Sequence, residues 1–273
     1  MAVSPVRAIA LAGVLIVTVS FIPIRTEAQD YYDAPRNADV DTRGARSVTI
    51  DASAGSLRVE GRSGITQVRV RGTARSPRRD RLDDIKLIAE RRGDVVFIKT
   101  EIPDDDSNGF RGVFNGNNWR NMLLDLVIEV PSSLPIEVSD GSGEARFVNT
   151  GAISLEDGSG EVEIRGARGD VRVVDGSGSV IIEDVEGSVR ISDGSGEIRA
   201  RNVTGDFIVD EDGSGNIDVS GVGGTMRVED DGSGNIDVDR VAGDFVVDSD
   251  GSGTIRYDDV KGSVRIPERK RRS

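Results

Sequence analysis

Apolar residues along most of this chain recur at every second position, in short runs punctuated by glycine. Ile217, Val219 and Val222 follow Gly215 at offsets of two, four and seven, and Ile236, Val238 and Val241 follow Gly234 in the same way. A second glycine comes next, and apolar residues again sit two and four places beyond it: Phe207 and Val209 after Gly205, Met226 and Val228 after Gly224, Phe245 and Val247 after Gly243. Thr150 and the amphipathic Tyr257 depart from the pattern. A spacing of two is the strand period, so each unit is predicted to hold two short strands separated by glycine turns, and helix is excluded.

The punctuation is itself a repeat. Asp-Gly-Ser-Gly begins at Asp140, Asp157, Asp175, Asp193, Asp212, Asp231 and Asp250, at intervals of 17, 18, 18, 19, 19 and 19 residues. A fixed period near 20 residues marks one unit stacked on itself, which cannot bury its apolar face alone. Two strands of about five residues and two turns leave no room for a crossover helix. The prediction is an all-β, parallel β-solenoid of about seven regular 18–19-residue coils, stacked about 4.8 Å apart into a rod roughly 34 Å long. A flat, two-sided coil fits best, and three short faces also satisfy the spacing.

Residues 46–138 read as strand-rich but irregular, with candidate strands at 47–51, 56–60, 67–71, 85–90, 95–102, 123–130 and 136–138. Residues 81–92 carry both a helical spacing, Leu82, Ile85 and Ile88, and an alternation, Ile85, Leu87 and Ala89; the strand reading agrees with the neighbours. This part is expected to form the first, less regular coils and to shield the open end of the rod, as solenoids require.

The remaining segments are short. Arg7 precedes an apolar run from Ala8 to Val19, and Thr26-Glu27-Ala28 is a small-residue cleavage site, so 1–28 reads as a signal peptide. The run is shorter than the ~20 residues of a spanning helix, so the exported chain is expected to be soluble, periplasmic, cell-surface or secreted, and not integral in a membrane. Residues 29–45 read as a flexible lead, 46–138 as the irregular part with a loop at 103–121, 139–266 as the solenoid, and 267–273 as a basic, solvated tail.

Charge separates these parts. The chain has 273 residues and a net charge of −13, yet 29 acidic against 12 basic residues fall between Glu137 and Ile266, while 29–136 carries 17 of each. So acidic a repeat disfavours nucleic acid as a partner. With no cysteine the rod has no disulfide to staple it, and stacking must supply its cooperativity.

An export signal, a variable strand-rich lead, the Val130-Pro131 boundary, and repeated Gly-Ser-Gly-x-Ile/Val-x-Val units with an intervening Gly-Asp/Ser-Val/Phe resemble the bacterial putative-adhesin family of unknown function. The resemblance spans roughly residues 46–266. It implies a β-solenoid in an exported envelope protein and supplies no catalytic residues.

The acidic turns raise calcium as a candidate, because glycine-rich acidic repeats bind it in the β-roll pattern Gly-Gly-x-Gly-x-Asp-x-Leu. Here the position that pattern gives to aspartate holds Ala145, Val162, Val180, Ile198, Ile217, Ile236 and Ile255. The simpler reading is that each aspartate caps its own turn by accepting the backbone N–H two residues on, with no cofactor required. Asp104, Asp106, Asn108 and Gly109 fit the opening of an EF-hand loop, but Asn115 stands where its bidentate glutamate belongs. The same loop carries Phe110, Phe114 and Trp119, candidate stacking residues for a partner or sugar, or else a flap folded onto the rod.

Catalysis finds little support. Without histidine or cysteine, His-based triads, thiol nucleophiles and His-ligated zinc are excluded. A carboxylate pair for glycoside cleavage is the remaining enzymatic reading, and a uniform repeat argues against it. Ice binding needs ranks of small hydroxyls, whereas the outward pairs are Glu161/Glu163, Glu197/Arg199 and Asn235/Asp237. The expected function is a non-catalytic, adhesin-like binding or scaffold role in the cell envelope, with an envelope protein or extracellular glycan as partner; the alternatives are a calcium-binding structural protein and a polysaccharide-active enzyme.

Overall fold

A computed structural model describes residues 31–103 and 122–268. Residues 1–30, which include the predicted signal peptide 1–28, the residues from 104 to 121 with their acidic and aromatic candidates, and residues 269–273 lie outside the described residues. The described chain is a parallel β-solenoid with two faces, each an 11-stranded sheet. Two faces suffice because each half-coil is one strand of two to nine residues, and the turn between them contains glycine or a left-handed residue.

From β8 (Ile136–Ser142) to β22 (Val264–Arg265) the strands alternate between the sheets, and each pairs in parallel with the strand two further along. Equivalent residues therefore stack in files. Val180, Ile198, Ile217 and Ile236 form one file of the core, and Val189, Phe207, Met226 and Phe245 form another. All eight are almost fully buried. Burial of side chains of this size contributes about 1.5–3 kcal/mol each, and here every one of them touches a neighbouring coil, so the stabilisation belongs to the stack.

Register also explains the uneven intervals. Val189, Ile191 and Asp193 sit at alternate positions, but in the next coil Phe207 and Val209 are followed by Asp212, and the pairing slips by one residue after Ile191. The 19-residue coils carry one extra residue there, a bulge that restores the stacking of the aspartates. The first, 17-residue interval has one residue fewer between Asn149 and Ile153 than the next coil has between Gly166 and Val171.

The lead is less regular in a specific way. β2 (Ser47–Ala54) and β3 (Leu57–Arg62) form a coil in register with β8 and β9 (Ala145–Val148). β6 (Val95–Glu101) and β7 (Leu123–Pro131) stack on its other side, so the order of coils in space is not their order in sequence. Antiparallel strands finish the end: β4 (Gln67–Ser76) and then β1 (Tyr32–Asp41) on one sheet, β5 (Lys86–Arg92) on the other. These antiparallel strands lie over the end of the stack.

Two expectations for the lead need correction. The segment 29–45, read as flexible, contains β1, which pairs with β4 over all ten of its residues. Its alternation is obscured in sequence because an edge strand buries little, Val40 alone of its residues being fully covered. Residues 81–92 are part helix and part strand, a 3-10 helix at Arg79–Asp84 followed by β5. Both spacings are real, since Leu82 and Ile85 are buried by the helical turn and its exit. Arg36 fastens that turn to β1, its Nε donating to the Ile85 carbonyl at 2.8 Å and its Nη2 to that of Leu82 at 2.7 Å.

Candidate functional site

Each coil turns twice, and the two corners treat charge in opposite ways. At the second corner the residue after the glycine runs Asp170, Ser188, Asp206, Thr225, Asp244, Ser263, acid alternating with hydroxyl. Oδ1 of Asp170 accepts from the Ser188 N–H at 2.9 Å, Oγ of Ser188 from the Asp206 N–H at 3.2 Å, and Oδ1 of Asp206 from the Thr225 N–H at 2.7 Å. Asp244 accepts from the Ser263 N–H in the same way, which holds its carboxyl below the usual range. These carboxylates are exposed, hydrogen-bonded, and two coils apart.

At the first corner every coil presents an aspartate. Asp140, Asp157, Asp175, Asp193, Asp212, Asp231 and Asp250 are direct register partners down the sheet, and Ala52 closes the file beyond Asp140. They share the inward face with the core: Ile153, Leu155 and Asp157 alternate with exposed Ser154 and Glu156. The first six of the seven are only 1–6% exposed.

The turn-capping role expected of these residues is met at two of them, where Oδ1 of Asp175 and of Asp193 accept from the N–H of Ser177 and Ser195 at 3.2 and 3.1 Å. The oxygens of Asp140, Asp157, Asp212 and Asp231 accept no well-formed hydrogen bond, and Asp157 and Asp231 lie against the carboxyls of Asp175 and Asp250. Stacked in water at ~4.8 Å, two carboxylates would repel by only about 0.9 kcal/mol; at an effective dielectric constant of ~20 the figure is about 3.5 kcal/mol, and the cost of desolvation is added. Capping bonds of about 1 kcal/mol each do not offset that.

Burial accordingly pushes these carboxyls up. Desolvation, with only a weak opposing backbone contact, takes Asp140 to about 6. Desolvation and then the charges of Asp140 and Asp175 take Asp157 to about 7, and desolvation with Asp231 and Asp193 does the same for Asp212. Asp193 and Asp231 rise to about 6, and Asp175 rises too, for the same first reason.

Other acidic groups of the described residues are differently placed. Glu144, Glu161 and Glu163 converge within 4.8 Å, but Arg146 and Arg165 both pair with the buried Glu163, the former at 2.6 Å. That cluster is an ion-pair lattice between coils. A shallow groove of about 410 Å³ at the second corner is lined by Val203, Thr204, Val222, Arg240 and Lys261 among others, and wide opening to solvent leaves it no enclosed site. No helix among the described residues is long and apolar enough to cross a membrane.

The fold and this file define a class: a two-faced β-solenoid rod with charged ladders outside and a carboxylate column inside one corner. No family model matches the chain, and no curated protein does. Solved structures do. A putative adhesin from Bacteroides fragilis is 12% identical, covering 85% of this chain and 96% of its own with a TM-score of 0.41. A putative cell adhesion protein from Clostridium sporogenes is 9% identical, covering 86% and 98%, TM-score 0.31. A putative lipid binding protein from Parabacteroides distasonis is 14% identical, covering 89% and 99%, TM-score 0.42. At such identities and TM-scores these likenesses establish neither a fold nor a role for this chain.

Proposed function

We propose that this protein is an exported, non-catalytic binding or scaffold element of the bacterial envelope, using the long faces of its rod for repeated, adhesin-like contact. The supporting observation is the registration of its outward side chains. Arg199, Asp218, Asp237 and Arg256 are successive register partners on one sheet, and Arg201, Ser220, Asp239 and Asp258 on the same sheet form a parallel rank. Acidic groups recur in adjacent coils about 4.8 Å apart, at Asp218 and Asp237 and at Asp239 and Asp258, a spacing that converts weak contacts into avidity when the partner also repeats.

Pairs between coils, such as Arg256 to Asp237 at 3.4 Å, hold some of these charges in place while leaving them exposed. The partner is an envelope protein or an extracellular glycan, and Phe110, Phe114 and Trp119 of the loop 103–121 are a second candidate contact. The test is capture from envelope extracts by the purified chain. Charge reversal at Asp218, Asp237 and Asp239 should release the captured partner, and replacing Trp119 by alanine should weaken it. Failure to retain glycan, envelope protein or a second copy of the chain would sink this reading.

A further inference from the structure

We infer that the column of aspartates inside the first corner binds divalent cations of the calcium class, each held between two successive carboxylates. The inference does not depend on what partner the outer faces take.

Two independent observations carry it. The first is the file itself, seven carboxylates in unbroken register from Asp140 to Asp250. The second is that Asp140, Asp157, Asp212 and Asp231, all more than nine-tenths buried, bury both oxygens with no well-formed hydrogen bond from an N–H or hydroxyl, and that Asp157 and Asp231 instead face the carboxyls of Asp175 and Asp250. Buried polar atoms are almost always satisfied, so four such groups in one file call for a ligand that bonds to oxygen and cancels negative charge.

The spacing selects the kind of ion. Coils repeat about every 4.8 Å, so an ion midway between carboxylates opened to that spacing would lie about 2.4 Å from each, within the 2.3–2.6 Å of calcium–oxygen bonds and beyond the 2.0–2.1 Å of magnesium. Two carboxylates supply up to about four oxygens, and calcium accepts irregular shells completed by water. Ser177, Ser195 and Ser233, two residues on from their aspartates, are partly exposed, so the turn reaches solvent although the carboxylate oxygens do not. One divalent ion per pair neutralises six of the seven charges, giving three ions per chain.

The contrast between the corners strengthens the case. The second corner alternates Asp with Ser or Thr and gives every one of its described acids at 170, 206 and 244 a backbone donor. The first corner has no such alternation, and it leaves Asp140, Asp157, Asp212 and Asp231 without a well-formed donor. This is also not the β-roll arrangement, whose aspartate position is apolar here; the ligands are the aspartates that open each turn.

The experiment is equilibrium dialysis of the purified chain against calcium at pH 8 after EDTA treatment, with bound metal counted by mass spectrometry, alongside thermal melts. The expected result is about three ions per chain, half-saturated near 10⁻⁴–10⁻³ M as in extracellular calcium modules, with a higher melting temperature in calcium than in EDTA and a smaller rise in magnesium. The double variant Asp212→Asn, Asp231→Asn should lose at least one bound ion and most of the calcium-dependent rise. In EDTA it should melt above the unaltered protein, since two buried charges are gone, which shows that it folds. Equal retention of calcium by the double variant would assign the ions to surface acids and overturn the inference. So would a melt that responds to pH but not to calcium, because protons would then be what neutralises the column.

Discussion

At the scale of single residues, close approach between coils decides which positions tolerate change. The last glycine of each Asp-Gly-Ser-Gly lies against its counterpart one coil away: a Cβ on Gly196 would fall 1.4 Å from the Gly178 carbonyl oxygen, at a φ of +154°. Gly196→Ala should therefore cost at least about 3 kcal/mol, combining strain with a forced separation of coils, as read by urea denaturation. The opposite effect is expected at the left-handed position of the second corner. Asn149, Gly166, Asp184, Asn202, Gly221, Arg240 and Asp259 occupy it in successive coils, and Arg240, at φ 55°, is the only one that is neither glycine nor a short polar residue. Arg240→Gly should stabilise by about 0.5–1 kcal/mol, since its exposed ion pair with Asp239 contributes little. This corner was legible in principle, through the Asn/Asp/Gly preference at a fixed offset. The inward aim of the aspartates was legible too, because Val171, Val173 and Asp175 share one parity. It is easily overlooked because aspartate beside glycine normally signals an exposed turn.

At the scale of the element, the column makes each strand of its sheet a pH-sensitive unit. Below about pH 4 its carboxyls are protonated in both folded and unfolded chains, and folding leaves their charge unchanged. As pH rises, the unfolded chain ionises at its ordinary value while the buried groups resist up to about 6 at Asp140, Asp193 and Asp231 and about 7 at Asp157 and Asp212. The folded state holds more protons across that window, so stability falls from pH 4 to above 7 and then levels. Carboxyls held low, Asp41 at about 2 and Asp244 among them, act in the reverse direction at the acidic end. Thermal melts in EDTA should thus peak near pH 4–5 and decline toward pH 8, and a flat profile over that range would show that the column is not buried as described. Element boundaries in the repeat follow from alternation alone, whereas the swapped coil order of the lead and the 3-10 turn at Arg79–Asp84 do not. Those depend on contacts between segments far apart in sequence, such as Arg36 with Leu82 and Ile85, which no local period records.

At the scale of the whole molecule, the two ends of the described rod differ. Antiparallel β1, β4 and β5 close the first, with Pro35 and charged residues on the outermost strand. The last described strands are β21 (Gly253–Val260) and the two-residue β22, and on β21 Tyr257 occupies a core register opposite Val238 yet remains 48% exposed, its ring 5.8 Å from that of Phe245. Between these ends each coil contacts only its neighbours, so the number of coils is a variable and their register is not. Deletion of residues 213–231 joins Asp212 to Gly232 and leaves an intact Asp-Gly-Ser-Gly, with every file of the core continuous across the junction. That protein should fold cooperatively, with its urea m-value lower by about a tenth in proportion to the surface lost. Removing nine residues from the same place instead moves each following strand to the wrong sheet and puts Phe245 and Ile236 out of their files, so it should yield unfolded or aggregated chain. Circular dichroism and urea titration of the two deletions separate a stack of equivalent coils from a single indivisible core, since only the stack tolerates the longer deletion better than the shorter.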